Sequence, residues 1–356
     1  MEVLVEKAPE SELKAKPDQN HLGFGAHFSD HMLLMPFDSI NGWHRPQIKK
    51  YQNFSLDPAA MVYHYGQAIF EGLKAYRGQQ GQLFLFRPGD NLRRMNDSAA
   101  RMCMPQIPVD QVLVAMQKLL DLERDWVPSS PGASLYIRPT MIATEAALGV
   151  RPAKEYLFYV ILCPVGAYYP EGFNPVKIYV TDQYVRAVKG GVGHVKTAGN
   201  YAASIMAALE AQQKGFTQVL WLDAVERRYV EEIGTSNIFF LINGELVTPA
   251  LSGSILPGIT RDSVIKLADS WGIKATERPI AIDEVLTTIA DGSLQEIFAS
   301  GTAAVISPVG ALSYQDREYS INGGKTGPFA QRLYDELQGI QYGTHPDPFG
   351  WRVEVA

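Results

Sequence analysis

The chain has little that would staple it together or anchor it. Two cysteines, Cys103 and Cys163, occur in 356 residues. They lie far apart in apolar surroundings and neither belongs to a C-x-x-C, so a disulfide framework is not expected and both read as buried packing thiols. The seven histidines show neither H-x-x-x-H nor Cys/His spacing, which leaves no recognisable metal site. The longest apolar run, "YLFYVILCPVGAYY", is interrupted by Pro164 and Gly166 and is too short to span a bilayer. The start, "MEVLVEKAPESELKAKPDQN", lacks the apolar core flanked by positive charge of a signal peptide and reads as a polar, frayed segment. A basic surplus is missing too. The formal charge is −6, with 46% hydrophobic and 20% charged residues, an ordinary soluble composition without a nucleic-acid signature. These absences point to a cytoplasmic protein that engages neither metal, membrane nor nucleic acid.

What is present is enough chain for two domains. Before residue 166, "QLFLF" reads as a strand and "PGDNLRRMNDSAARMCMP" as a helix opened by Pro88 and closed by Pro105. "VDQVLVAMQKLLDLERDWV" carries apolar residues at helical spacing, and "SLYIRPTMIA" and "YLFYVIL" read as buried strands. "GAYYPEGFNP" (166–175) is the expected linker between domains at 1–165 and 176–356. Beyond it, "VKIYV" and "QVLWL" are strands, "YAASIMAALEAQQKG" a helix, and "NIFFLINGELVTP" a hairpin turning at Asn243-Gly244. "ITRDSVIKLADSWG" is a helix closed by Gly272, and the tail is helical to about Gln338 or Gln341. The irregular mixture implies an α+β chain.

"GGVGHVKTAGNY", residues 190–201, sets four glycines around one lysine. A phosphate-binding P-loop requires glycine where Val195 stands, and the dinucleotide fingerprint lacks its third glycine. Lys196 is then either a surface lysine or a reagent. A free lysine is neutral in only about one molecule in 2,500 at pH 7, so a reagent needs burial or a neighbouring cation. In "VEEIGTSNIFFL", alternation along a strand lets only one of Glu231 and Glu232 point inward, and an inward carboxylate needs a cation such as a protonated pyridine nitrogen. "ILPGITRDSV" starts a helix at Ile259 or Thr260, whose amides can seat a phosphate. "FASGTAAVISPV" places a small-residue turn at 300–304 between two strands, open enough for an anion to reach its amides.

Taken in order, "YGQAIFEGLKAY", "FRPGDNLRRM", "SLYIRP", "ILCPVGAYY", "GGVGHVKTAGNY", "QVLWLD", "EEIGTSNIF", "ILPGITR" and "SGTAAVISPV" resemble the branched-chain amino acid aminotransferases. These enzymes use pyridoxal 5′-phosphate (PLP) on fold type IV. The match runs from about residue 20 to the end and looks closer to the animal-type branch than to the shorter bacterial type. It implies a small α/β domain followed by a larger PLP-binding domain with a β-barrel-like sheet and helices. Lys196 would hold PLP covalently and shuttle the proton. Glu232 would partner the pyridine nitrogen. Tyr201 would bond the phenolic oxygen with Thr235 nearby, and Arg94, Ile259, Thr260 and Thr302 would hold the phosphate.

On the substrate side, the resemblance gives the α-carboxylate to Thr302, Ala303 and Ala304, helped by Tyr65. Phe70, Tyr136 and Tyr168 would wall an apolar pocket, and Arg138 would receive the side-chain carboxylate of glutamate. Leu148 and Val150 match a loop contributed by the other subunit of a homodimer. The implied substrates are branched-chain L-amino acids, L-glutamate and their 2-oxo acids. Two departures stand out. The C-x-x-C of animal members is absent after the Gly-Thr-Ala turn, which excludes a thiol switch there, and Ala198 replaces a second glycine beside the lysine. The alternatives are a D-amino acid aminotransferase or aminodeoxychorismate lyase on the same fold, or a cofactor-free Schiff-base lyase built on Lys196.

Overall fold

The computed structural model describes residues 2–166 and 173–355. The described residues form two units, one of 2–166, 195–198 and 339–355, the other of 173–194 and 199–338. Two short pieces thus pack apart from their sequence neighbours, a division that a single cut at 166–175 cannot express. Residues 167–172 of that expected linker, Tyr168 among them, lie outside the described residues.

The first unit is built on a ten-stranded sheet in which Ser134–Ala143 pairs along its whole length with Glu155–Val165. On its other side lie Leu73–Arg77 and Ala68–Phe70. Leu135, Ile137, Met141 and Ala143 point into a core shared with Leu92 and Met95 of the helix Pro88–Arg101 and Met116 and Leu119 of the helix Val109–Leu122. Side chains alternate along a strand, so Tyr136, Arg138 and Thr140 stand on the opposite face. One hydrophobic pattern therefore builds the core and presents the polar residues. The tail returns here, its strand Arg352–Val355 pairing with Leu83–Phe86.

The start of the chain is pinned, contrary to the frayed segment expected. Leu4–Val5 pairs in parallel with Gln47–Lys50, and Val3 joins the core. The cause is a polar cluster that composition does not reveal. Asp30 accepts hydrogen bonds from the Lys14 amide at 2.8 Å, Lys16 Nζ at 3.2 Å and Trp126 Nε1 at 2.7 Å. His31 takes the Ala8 amide on Nε2 at 2.8 Å and meets the buried Glu123 carboxylate through Nδ1. Cys103 departs from expectation as well: it is exposed, with a φ of 53° just past a helix end, whereas Cys163 is buried.

The second unit curls a nine-stranded sheet. Its strand Val305–Tyr314 pairs antiparallel with Leu294–Gly301 through its first half and parallel with Val176–Val180 through its second, which bends the sheet. The hairpin Asn237–Ile242 and Glu245–Thr248 turns at Asn243 and Gly244, with φ of 49° and 76°. Both positive angles match the type I′ turn that this dipeptide favours.

Burial pushes the Asp30 carboxyl up, but the bonds from Lys14, Trp126 and Lys16 outweigh it and hold it below its ordinary range. A depressed carboxylate stabilises the fold above its unfolded pKa and loses that contribution as pH falls through the folded value. Asp30→Ala should cost about 1–3 kcal/mol at neutral pH. It should also expose residues 2–20 to proteolysis; thermal unfolding and limited digestion check both.

Candidate active site

Each unit assembles one group of the expected residues. In the first, residues 195–198 dock on the strand Ala68–Phe70. Ile69 bridges to Thr197, the Phe70 amide donates to the Lys196 carbonyl at 3.1 Å, and Thr197 Oγ1 donates to the Ala68 carbonyl at 2.8 Å. The Lys196 amide donates to Ser98 Oγ at 3.0 Å. The lysine's backbone is thus held from both sides, and its Nζ lies 4.8 Å from the Phe70 ring centre.

Around that lysine stand Tyr136, Arg138 and Arg94. Burial lowers the Lys196 pKa to about 8; Glu71 and Tyr136 oppose the shift, while Arg94 and Arg138 add to it. At pH 7 about one lysine in ten is then neutral, some 200-fold more than in a free side chain. Arg138 lies 4.7 Å from the Phe70 ring and 5.3 Å from the Tyr136 ring, so a cation backs two aromatic faces. Gly72 makes room for Tyr136, since a Cβ there would fall 1.9 Å from the phenol oxygen.

Arg94 is buried and makes a two-pronged pair with Glu71, Nε to Oε1 and Nη2 to Oε2, both at 2.8 Å. Burial pushes Glu71 up, but Arg94, joined by Lys196 and Asn91, outweighs it and holds the carboxyl below its usual range. Tyr65 and the loop residues Leu148 and Val150 are open to solvent, 39%, 73% and 88% exposed.

In the second unit, Arg186, Asn200, Tyr201, Ser204, Glu232 and Thr235 line a small cleft. Glu232 Oε1 accepts from Asn237 Nδ2 and from the Leu256 amide, each at 3.2 Å, while Oε2 meets Arg186. The expectation that only one of the two glutamates points inward is corrected. Glu231 and Glu232 are 7% and 3% exposed, because the strand Val230–Ile233 is covered on both faces. Glu231 receives the Ser254 hydroxyl, and burial raises its pKa against that bond and Arg186.

The glycines before the lysine serve packing. A Cβ on Gly193 would fall 2.3 Å from the Ser254 carbonyl oxygen and 2.4 Å from the Ala187 Cβ. Ile259 and Thr260 open the helix Ile259–Ser270, as the sequence suggested. Thr302, Ala303 and Ala304 form the turn between Leu294–Gly301 and Val305–Tyr314, all half-buried. Val305 closes it with a φ of 62°, a left-handed conformation unusual for a β-branched residue.

A family model described as Amino-transferase class IV matches residues 68–312. The chain belongs to the class IV aminotransferases. It is 56% identical over 343 residues to the "Branched-chain-amino-acid aminotransferase 2" of Bacillus subtilis, covering 96% of this chain and 94% of that protein. Among solved structures, the branched-chain amino acid aminotransferase of Escherichia coli superimposes with a TM-score of 0.77 at 27% identity, over 92% of this chain and 99% of that one. A T.th. branched-chain amino acid aminotransferase complexed with N-(5′-phosphopyridoxyl)-L-glutamate gives 0.73 at 26% identity, over 91% and 98%. The Bacillus subtilis relative has nearly the same extent as this chain.

Three partners of the class IV aminotransferase residues escaped the sequence reading. Glu71 sits inside the matched "FEGLKAY" stretch, but a carboxylate inside an apolar run announces a cation without naming it. Lys74 lies directly across from Tyr136, buried, with its pKa lowered to about 8 by desolvation. Arg186 is separated from Glu232 by too much sequence for spacing to pair them.

Pulse labelling with an amine-reactive reagent, followed by peptide mapping, should modify Lys196 with a midpoint near pH 8. Exposed lysines should follow their ordinary pKa of about 10.4. An ordinary midpoint for Lys196 would remove the burial argument.

Proposed function

We propose that the chain is a PLP-dependent branched-chain amino acid aminotransferase, moving the amino group of L-leucine, L-isoleucine or L-valine to 2-oxoglutarate in a reversible reaction. The observation that carries this reading is Lys196, lowered to about 8 by burial and set beside Phe70, Tyr136 and Arg138. Each unit offers donors suited to the cofactor: the first an amine for its aldehyde, the second a buried carboxylate for its ring nitrogen and a helix start for its phosphate. The cap residue of that helix, Gly258, has no room for a side chain, a Cβ falling 2.0 Å from Asn237 Oδ1.

When bound, PLP supplies an aldehyde for amines and a ring that stores the electrons left on the substrate's α-carbon. The residues have separable tasks. Lys196 Nζ would hold the cofactor and, as a free amine, serve as the base for the α-proton. Glu232 would keep a proton on the ring nitrogen, and Tyr201, with Thr235 nearby, would bond the phenolic oxygen. Ile259 and Thr260 amides, Arg94 and Thr302 would hold the phosphate, the helix start contributing its dipole. Tyr65 and the 302–304 turn would take the α-carboxylate.

Phe70 and Tyr136 offer apolar walls to a branched side chain, and Arg138 behind them offers a charge to glutamate. One pocket can then serve both halves of a ping-pong exchange. Exposed Leu148 and Val150 support a homodimer in which this loop completes the neighbour's site. The unpaired cysteines agree with a reducing cytoplasm, and no helix among the described residues is long and apolar enough to cross a membrane.

Lys196→Ala should abolish covalent PLP attachment, read as loss of the visible chromophore and its response to L-leucine, together with turnover. Glu232→Gln should retain PLP while kcat falls by about two orders of magnitude; an unchanged kcat would overturn the glutamate assignment. Replacing both Leu148 and Val150 by Asp should shift the protein toward monomer in light scattering and lower kcat/KM by roughly tenfold or more.

A further inference from the structure

Arg186 has no part in the reading above, yet its guanidinium is held by named contacts on two sides. Its Nη2 donates to the Ser254 carbonyl at 2.6 Å and to the Gly193 carbonyl at 2.9 Å. These two bonds fix the guanidinium plane. Its Nε then lies against Glu232 Oε2, the two side chains being 8% and 4% exposed. The approach lacks the alignment of a straight hydrogen bond, so the contact is chiefly one of charge. The other carboxylate oxygen is held by Asn237 Nδ2 and the Leu256 amide. Asn237 is itself tied to the Leu256 carbonyl at 2.9 Å. Glu232 is therefore gripped by a cation on one side and an amide pair on the other.

A carboxylate taken out of water is strongly unfavourable without a counter-charge. A second carboxyl next to it in sequence, Glu231, worsens the local balance. Arg186 is a cation that can meet both needs, because Glu231 also feels its charge. We propose that Arg186 is the positioning residue of Glu232: it keeps that carboxylate charged and aimed, and by holding Gly193 it ties the same guanidinium to the loop that leads to Lys196. The rival role is a plain staple, in which only the carbonyl bonds to Gly193 and Ser254 matter and Glu232 is a bystander.

The inference rests on the Glu232 reading for its catalytic meaning, but its test does not need cofactor. Full-length Arg186→Met, Glu232→Gln, the double variant and Arg186→Lys are compared by thermal unfolding without added PLP. Arg186→Met should lower Tm by about 5 °C or more, because it strands a buried charge. In the Glu232→Gln background the same change should lower Tm by less than half as much, since a neutral amide needs no counter-ion. Arg186→Lys should recover most of the loss. With PLP, Arg186→Met should lower kcat at least tenfold, and add nothing to Glu232→Gln. Equal Tm losses in the two backgrounds, or no loss, overturn the proposal. If Arg186→Met does not fold, recovery of folding in the double variant supports the proposal, and failure of both overturns it. An error in the Glu232 assignment would instead show as unchanged turnover of Glu232→Gln, with the Tm comparison intact.

Discussion

Withdrawing an ammonium group from water is the constraint on which the first unit's arrangement depends. A lysine loses its proton near neutral pH only when hydration no longer favours the charged form, and burial does this for Lys196. The strand-like docking of residues 195–198 on Ala68–Phe70 makes that burial possible, because the backbone there finds partners while the side chain turns to Phe70. Glu71 pulls the other way. Its charge is shared with Arg94 through two short bonds, so the lysine meets a muted carboxylate. A bare Glu71 would hold the proton on the amine, and an absent one would leave Arg94 uncompensated.

The second unit buries two adjacent carboxyls. Glu232 is met by the Asn237 side-chain amide, the Leu256 backbone amide and the charge of Arg186, and its neighbour Glu231 shows the contrast. With one hydroxyl partner and a more distant cation, Glu231 is pushed toward its neutral form. Gly193 belongs to the same construction, since any side chain there would drive the loop off Ser254.

Much of this was legible in the sequence, and what was missed shares a cause. Regular elements came through because alternation and helical spacing are local: the strands Val176–Val180 and Gln218–Leu222 and the hairpin at Asn243-Gly244 agree with the reading. The helix start at Ile259 did as well, since Pro257-Gly258 punctuates it. The errors were long-range. The pinned start depends on Asp30 and on Trp126, which lies far along the chain from the segment it helps to hold, and the partner of buried Glu231 is the distant Ser254. The allotment of Lys196 to the first unit is equally invisible along the chain. Motif resemblance pointed to Lys196 and Glu232, but the charged groups beside them, Glu71 and Arg186, follow only from three-dimensional contacts.

Val305 carries one more consequence. Holding a branched residue at a φ of 62° costs about 1–3 kcal/mol. Its side chain is 2% exposed, and such burial returns about 1.5–3 kcal/mol. The opposed quantities nearly cancel, so a relaxed glycine would leave the fold's free energy almost where it is. What the valine adds at this position is then less net stability than the shape of the bend that it terminates.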